Sequence, residues 1–143
     1  MIRLDKTVQI NKPIAEVFAF VSDFANDARW QADLISSEKT SSGPIAVGST
    51  GSFATKIMGK EMKSEVQVTA YDPPKRFAAK TTGGPVQIEL TNTFEEKDGG
   101  TQVAVHMQGE AAGFFKVAEG LLQKEIDKTF TRDLAKLKEV MEA

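Results

Sequence analysis

Residues Gly113 to Ala143 read GFFKVAEGLLQKEIDKTFTRDLAKLKEVMEA. Within them Leu122, Ile126, Phe130, Leu134, Leu137 and Met141 recur at steps of four and three, which draws one apolar stripe along a helix. Charged residues such as Lys124, Asp127, Arg132 and Lys138 mostly lie off that stripe. Asp133 with Lys136, and Glu125 with Lys128, stand three apart, where helical side chains meet. At about 1.5 Å per residue a helix from Phe114 to Met141 spans roughly 40 Å, enough to cross a small domain. Its first half carries a wider apolar band: Phe114, Phe115, Val117, Ala118, Leu121 and Leu122. Gly120, among them, costs about 1 kcal/mol relative to alanine. It reads either as close packing or a slight bend, or as room left for a ligand.

The chain before this helix has the patterning of a sheet that needs something to wrap. Ile2, Leu4, Val8 and Ile10 alternate with Arg3, Asp5, Thr7 and Gln9 in a first strand whose apolar face is interrupted at Lys6. Asn11-Lys12-Pro13 then opens a helix, with Asn11 as its cap and Ile14, Val17, Phe18 and Val21 as its buried side. Ser22-Asp23 ends that helix and caps a second short one, Phe24 to about Trp30. The two form a V expected to support the long helix. A weaker strand, Leu34 to Thr40, precedes a loop that runs to Gly48.

Four hairpins can be registered against one another. Gly59-Lys60 as a two-residue turn sets Ile57 opposite Met62, Thr55 opposite Ser64 and Phe53 opposite Val66. Asp72-Pro73-Pro74-Lys75 sets Ala70 opposite Phe77, Val68 opposite Ala79 and Val66 opposite Thr81. Gly83-Gly84 sets Thr81 against Val86, Ala79 against Ile88 and Phe77 against Leu90. Asp98-Gly99 sets Phe94 against Val103, Asn92 against Val105 and Leu90 against Met107. All four agree on a single apolar face for a five-stranded antiparallel meander, and a slip of one residue would destroy the agreement.

The 143 residues, 41% hydrophobic and 27% charged, suit one globular domain spanning residues 1–143. A net charge of -2 supplies no basic face for nucleic acid. Without cysteine there is no disulfide framework, thiolate metal site or cysteine nucleophile. No stretch approaches a membrane span, and the N-terminus alternates instead of forming a basic-then-apolar leader. The expectation is a cytoplasmic protein with no stable membrane insertion, a monomer or weak homodimer.

The order of these elements, together with Val8-Gln9-Ile10-Asn11-Lys12-Pro13, Ala15-Glu16-Val17-Phe18, Asp23, Trp30, Gly48, Tyr71-Asp72-Pro73-Pro74-Lys75-Arg76-Phe77 and Gly100-Thr101-Gln102-Val103, resembles the START-like helix-grip superfamily. Within it the chain is most similar to the small bacterial polyketide cyclase/dehydrase and lipid-transport (SRPBCC) families. The resemblance covers essentially the whole chain. It implies an α+β helix-grip fold: a seven-stranded curved antiparallel sheet wrapped around a long C-terminal helix, with two short helices between strands 1 and 2. It also implies an internal cavity for an apolar small molecule, in which some members carry out cyclisation or dehydration.

His106, the only histidine, would be the obvious general base. The strand register turns it outward, because Val103, Val105 and Met107 face in. No first shell for a metal is visible, no cofactor is expected, and no catalytic residue is assigned. Polar residues on the inner face are more telling: Thr55, Ser64, Thr81 and Asn92 fall among Phe53, Ile57, Met62, Val66, Ile88 and Leu90. Either they bond to one another, to backbone or to water, or they orient the polar end of a greasy ligand. Trp30 suits the rim of the cavity or packing under the V. Phe114, Ala118, Leu121 and Leu122 complete the candidate lining from the long helix. The function expected is binding or transport of a hydrophobic small molecule, lipid or polyketide-like. The alternative is cyclase or dehydratase chemistry, with Asn92 or Ser64 polarising a carbonyl and Tyr71 or Arg29 assisting.

Overall fold

A computed structural model describes residues 1–111 and 114–143, the side chains of Phe114 and Phe115 excepted. Along the chain lie β1 (Ile2–Ile10), α1 (Ile14–Val21), a 3₁₀ helix (Phe24–Arg29), β2 (Leu34–Lys39), β3 (Thr50–Ile57), β4 (Lys60–Asp72), β5 (Arg76–Gly83), β6 (Val86–Lys97), β7 (Gly100–Ala111), α2 (Phe114–Val117) and α3 (Glu119–Glu142). The strands form one seven-stranded antiparallel sheet in the order β1-β7-β6-β5-β4-β3-β2. The meander expected from the turns is its central part.

One hairpin register holds throughout, one holds as far as a bulge, and two shift. The β6–β7 pairing has Phe94 opposite Val103, Asn92 opposite Val105 and Leu90 opposite Met107, as the Asp98-Gly99 turn requires. Across β4–β5, Val66 meets Thr81 and Val68 meets Ala79, but a bulge between Val68 and Ala70 brings Tyr71, not Ala70, opposite Phe77. In the β3–β4 hairpin the turn is Met58-Gly59 in place of Gly59-Lys60, so Phe53 faces Ser64 and Thr55 faces Met62. Met58 and Gly59 both have positive φ, 52° and 78°, which gives the type I′ geometry matched to strand twist. The β5–β6 hairpin likewise shifts by two, with Phe77 opposite Asn92 and Ala79 opposite Leu90. Shifts of two preserve the face, so the apolar side survives both corrections.

The C-terminal helix is not continuous from Phe114. Ala118, at φ −99° and ψ 21°, separates α2 from α3. A Cβ at Gly120 would meet nothing within 4 Å among the described residues, so close packing does not explain that glycine. At the other end, Pro13 and not Asn11 precedes the first turn of α1, because its extended ψ of 145° leaves it outside the helix. The Asn11 N–H instead donates to Glu142 Oε2 at 2.8 Å.

That contact belongs to a series that fastens α3 over the sheet edge. β1 is an edge strand with unpaired backbone groups. Gln123 takes the Arg3 N–H at 2.8 Å and donates to the Arg3 carbonyl at 2.7 Å. Lys138 Nζ donates to the Gln9 carbonyl at 2.7 Å, and Lys6 Nζ donates to Asp127 Oδ1 at 2.9 Å. Lys6, which breaks the apolar alternation, is thereby accounted for. Of the expected pairs on α3, Asp133 bonds Arg132 and not Lys136, which pairs with Glu139.

The helical V packs on the end of the sheet more than on α3. The Phe18 ring lies 5.1 Å from Phe94 and 5.5 Å from Tyr71, and the Phe24 ring lies 5.3 Å from Phe53. Gly51 makes room for Phe24, since a Cβ there would sit 2.6 Å from its ring.

Candidate functional site

With α3 anchored along β1, the central strands curve past it and leave a pocket of about 250 Å³ between sheet and helix. Phe53, Ile57 and Met62 line it from β3 and β4, Ile88 and Leu90 from β6, and Ile126 and Phe130 from α3. Thr55, Ser64, Thr81 and Asn92 interrupt this apolar wall. The Thr81 hydroxyl accepts the Ile88 N–H at 2.8 Å, and Asn92 Nδ2 donates to the Phe77 carbonyl at 3.5 Å. Thr55 and Ser64 stand diagonally because of the shifted register, not opposite each other.

The first turns of α3 do not reach the pocket. Leu122 is buried in the core, and Leu121, about 100° around the helix from it, is 61% exposed. Neither they nor Ala118 lines the pocket. The side chain of Phe114 lies outside the described residues.

Trp30 lines the pocket as wall, not rim: it is 8% exposed, and its Nε1 is buried without a partner among the described residues. Its placement follows from the 3₁₀ helix. Residues three apart eclipse in that geometry, and Phe24, Asp27 and Trp30 are all buried while Ala25, Ala28 and Arg29 are exposed. All three residues of this face border the pocket. The spacing F-x-x-D-x-x-W is the available signal for Asp27, which a strand-based inventory of inner-face groups passes over.

Asp27 is 6% exposed, and burial pushes its carboxyl up to about 7, against a lowering by the Ser37 hydrogen bond and with a smaller rise from Asp23. Asp133 also borders the pocket, and burial raises its pKa despite the Ala32 N–H and the Arg132 guanidinium beside it. Arg132 Nη2 bridges Asp133 Oδ1 at 3.2 Å and Asp33 Oδ2 at 3.1 Å, tying α3 to the segment before β2. The pocket wall thus carries carboxyl groups, from the 3₁₀ helix and α3, beside the hydroxyls and amide expected from the strands. The two assisting groups named for chemistry do not border the pocket. Tyr71 packs against Phe18 and Phe77, and Arg29 lies 5.0 Å over the Phe20 ring.

His106 is on the outer face, with Nδ1 2.6 Å from Asp5 Oδ1 and more than half of its side chain exposed. Among the described residues no group of three or more His, Cys, Asp or Glu is placed to hold a metal ion. Nor is any helix among them long and apolar enough to cross a membrane.

A seven-stranded sheet gripping a long C-terminal helix defines a helix-grip α+β protein. The chain belongs to the polyketide cyclase/dehydrase and lipid transport family, whose model matches residues 1–142. A START superfamily protein from Mycobacterium smegmatis superposes with a TM-score of 0.82 at 14% identity, covering 98% of this chain and 97% of that one. The Zhui aromatase/cyclase from Streptomyces sp. R1128 gives 0.80 at 16% identity, covering 98% and 93%. A protein from Thermus thermophilus gives 0.76 at 16% identity, covering 96% and 98%. No curated protein matches the chain in sequence. At these identities the structural likeness speaks for the fold.

Proposed function

We propose that this protein binds or carries a hydrophobic small molecule, lipid or polyketide-like, between its sheet and α3. The observation that carries the reading is the mainly apolar pocket of about 250 Å³ beside a packed core. Ligand pockets for drug-sized molecules run from about 300 to 1,000 Å³, so a compact one- or two-ring compound or a short acyl chain suits it best. Burying its apolar surface, at roughly 25 cal/mol per Å² before ordering costs, supplies the affinity. In this reading Phe53, Thr55, Ile57, Met62, Ser64, Ile88, Leu90, Asn92 and Trp30 contact the ligand. The protein works in the cytoplasm as a monomer or weak homodimer.

Native mass spectrometry of freshly purified protein, followed by identification of what dissociates on denaturation, tests the proposal. A bound organic molecule, or thermal stabilisation by apolar compounds from a lipid and aromatic panel, supports it. Failure of both sinks it.

A second reading, cyclase or dehydratase chemistry on a polyketide-like substrate, draws support from Asp27 and Asp133. Both carboxyl groups border the same pocket, and a buried acid near neutrality is suited to exchanging protons. Conversion of a poly-β-ketone analogue by wild type but not by Asp27→Asn or Asp133→Asn would favour it.

A further inference from the structure

The two sides of α3 are held to the fold in different ways. Toward β1 the helix is pinned to strand backbone: Gln123 brackets Arg3, Lys138 holds the Gln9 carbonyl, and Glu142 takes the Asn11 N–H. Ile2, Leu4 and Ile10 are buried in the core there, and no described β1 residue borders the pocket. Toward β2 the pocket wall passes from Glu125, Thr129 and Asp133 on α3 to Gln31, Asp33 and Leu34. Among the described residues no main-chain hydrogen bond joins these two parts of the wall.

Gln31 to Asp33 form a short irregular strap between the 3₁₀ helix and β2. Its ends are fixed by backbone: the Gln31 N–H donates to the Asp27 carbonyl at 2.9 Å, and the Lys56 N–H donates to the Asp33 carbonyl at 2.9 Å. Its middle is held to α3 through side chains. Arg132 Nη2 donates to Asp33 Oδ2 at 3.1 Å, and the Ala32 N–H donates to Asp133 Oδ1 at 3.3 Å. Arg132 Nε donates to that same Asp133 oxygen at 3.2 Å, and the Thr129 hydroxyl stands 3.5 Å from Asp33 Oδ2. Asp33, Thr129 and Asp133 border the pocket, whereas Arg132 does not and is half exposed. One guanidinium therefore keeps two carboxylates together. Without it they repel, since burial and, to a smaller extent, Asp33 already raise the Asp133 pKa. A half-exposed ion pair shifts an opening equilibrium by only about two- to fivefold. That is too weak to lock the strap and enough to set how often it lifts.

We propose that residues 31–33 are a gate to the pocket, latched to α3 by Arg132, and that an apolar ligand enters and leaves when the latch opens. The gate rests on the reading that the pocket takes a hydrophobic molecule, and it supplies that molecule's route. Opening precedes both entry and exit, so a weaker latch raises the two rates by one factor and leaves their ratio alone.

Stopped-flow fluorescence of the full chain at pH 8, with the neutral apolar dye N-phenyl-1-naphthylamine, tests this. Arg132→Gln should raise kon and koff together by about three- to tenfold, repulsion between the bare carboxylates adding to the lost pair, with Kd kept within about twofold. Arg132→Lys keeps the charge without the planar fork and should fall between. Raising sodium chloride from about 20 mM to about 0.5 M should speed wild type and not Arg132→Gln, because only wild type has an attraction to screen. Lys136→Gln loses the Lys136–Glu139 pair of the same helix, away from the pocket, and should change neither rate. A readout without ligand is amide hydrogen exchange. The Ala32 amide should exchange faster in Arg132→Gln by the same factor, while the Arg3 amide, held by Gln123 on the opposite side, keeps its rate. Wild-type dye kinetics in Arg132→Gln, with or without faster exchange at Ala32, overturn the gate while apolar binding stands, and so does a Kd shift carried by koff alone. If neither the dye nor any compound of the lipid and aromatic panel binds, the pocket reading and the gate fall together.

Discussion

The Asp27 carboxyl should make this protein less stable as pH rises through neutrality, and Asp27→Asn should remove that dependence. In the unfolded chain the group titrates near its ordinary value of 3.8, and in the fold near about 7. Between those values the folded state holds a proton that the unfolded state has lost, so stability falls with increasing pH. Below about 4 the contribution is fully present, and above about 7 it is gone. A difference of roughly 3 pKa units at 1.36 kcal/mol each sets a ceiling of about 4 kcal/mol. Between pH 5 and 8.5 about 2 of those units are covered, or up to about 2.7 kcal/mol, and relaxation around the carboxylate and water entering the pocket reduce this, so about 1–2.5 kcal/mol is expected, or a shift of about 3–8 °C in Tm. Asparagine is close in shape and can donate its amide N–H to Ser37 Oγ, so the two proteins should agree within about 1 kcal/mol at pH 5. Urea denaturation from pH 5 to 8.5, followed by fluorescence of Trp30, the only tryptophan, measures both. The difference between the curves isolates Asp27 from every other titrating group. Curves that run parallel across this range would refute the reasoning, because Asp27 would then have to be ionised and solvated in the fold.

Other perturbations read different parts of the structure. Gly120→Ala should stabilise by up to about 1 kcal/mol in urea denaturation, since an exposed helical position with open space around it has no need of glycine. Gly51→Ala pushes a Cβ to 2.6 Å from the Phe24 ring; it should cost about 1–3 kcal/mol and weaken pocket ligands, because Phe24 is on the same helical face as Asp27 and Trp30. Arg132→Gln removes the cation between Asp33 and Asp133. Its destabilisation at neutral pH should shrink in acid, where Asp133, already raised by burial, becomes neutral. His106→Asn changes only an exposed pair on the outer face, so unfolding should move by less than about 0.5 kcal/mol and ligand affinity should not move.

How much of this molecule its sequence discloses depends on which periodicity carries the information. In the strands the period is two, and the corrections are also of two: the Met58-Gly59 turn and the shifted β5–β6 hairpin displace partners without moving any side chain to the other face. That is why Phe53, Thr55, Ile57, Met62, Ser64, Ile88, Leu90 and Asn92 all appear on the pocket wall although half of the hairpin registers need correction. The bulge after Val68 has no comparable protection, and it turns Tyr71 toward Phe18 and Phe77 against the expected alternation. In α3 the stripe is legible, but its partner is not: hydrogen bonds from Gln123 and Lys138 to the β1 backbone depend on which edge the helix covers, a long-range fact absent from local pattern. Between these regimes lies the 3₁₀ helix, whose period of three belongs to neither template. A strand reading looks for inward groups at every second residue and a helix reading at steps of three and four, so Phe24, Asp27 and Trp30 register as scattered. Once the period is three they become a single face, which carries a buried acid and an indole whose Nε1 has no partner among the described residues. The chemistry of the pocket therefore sits on the element whose geometry is hardest to infer from its residues, while the strands and α3 supply its shape.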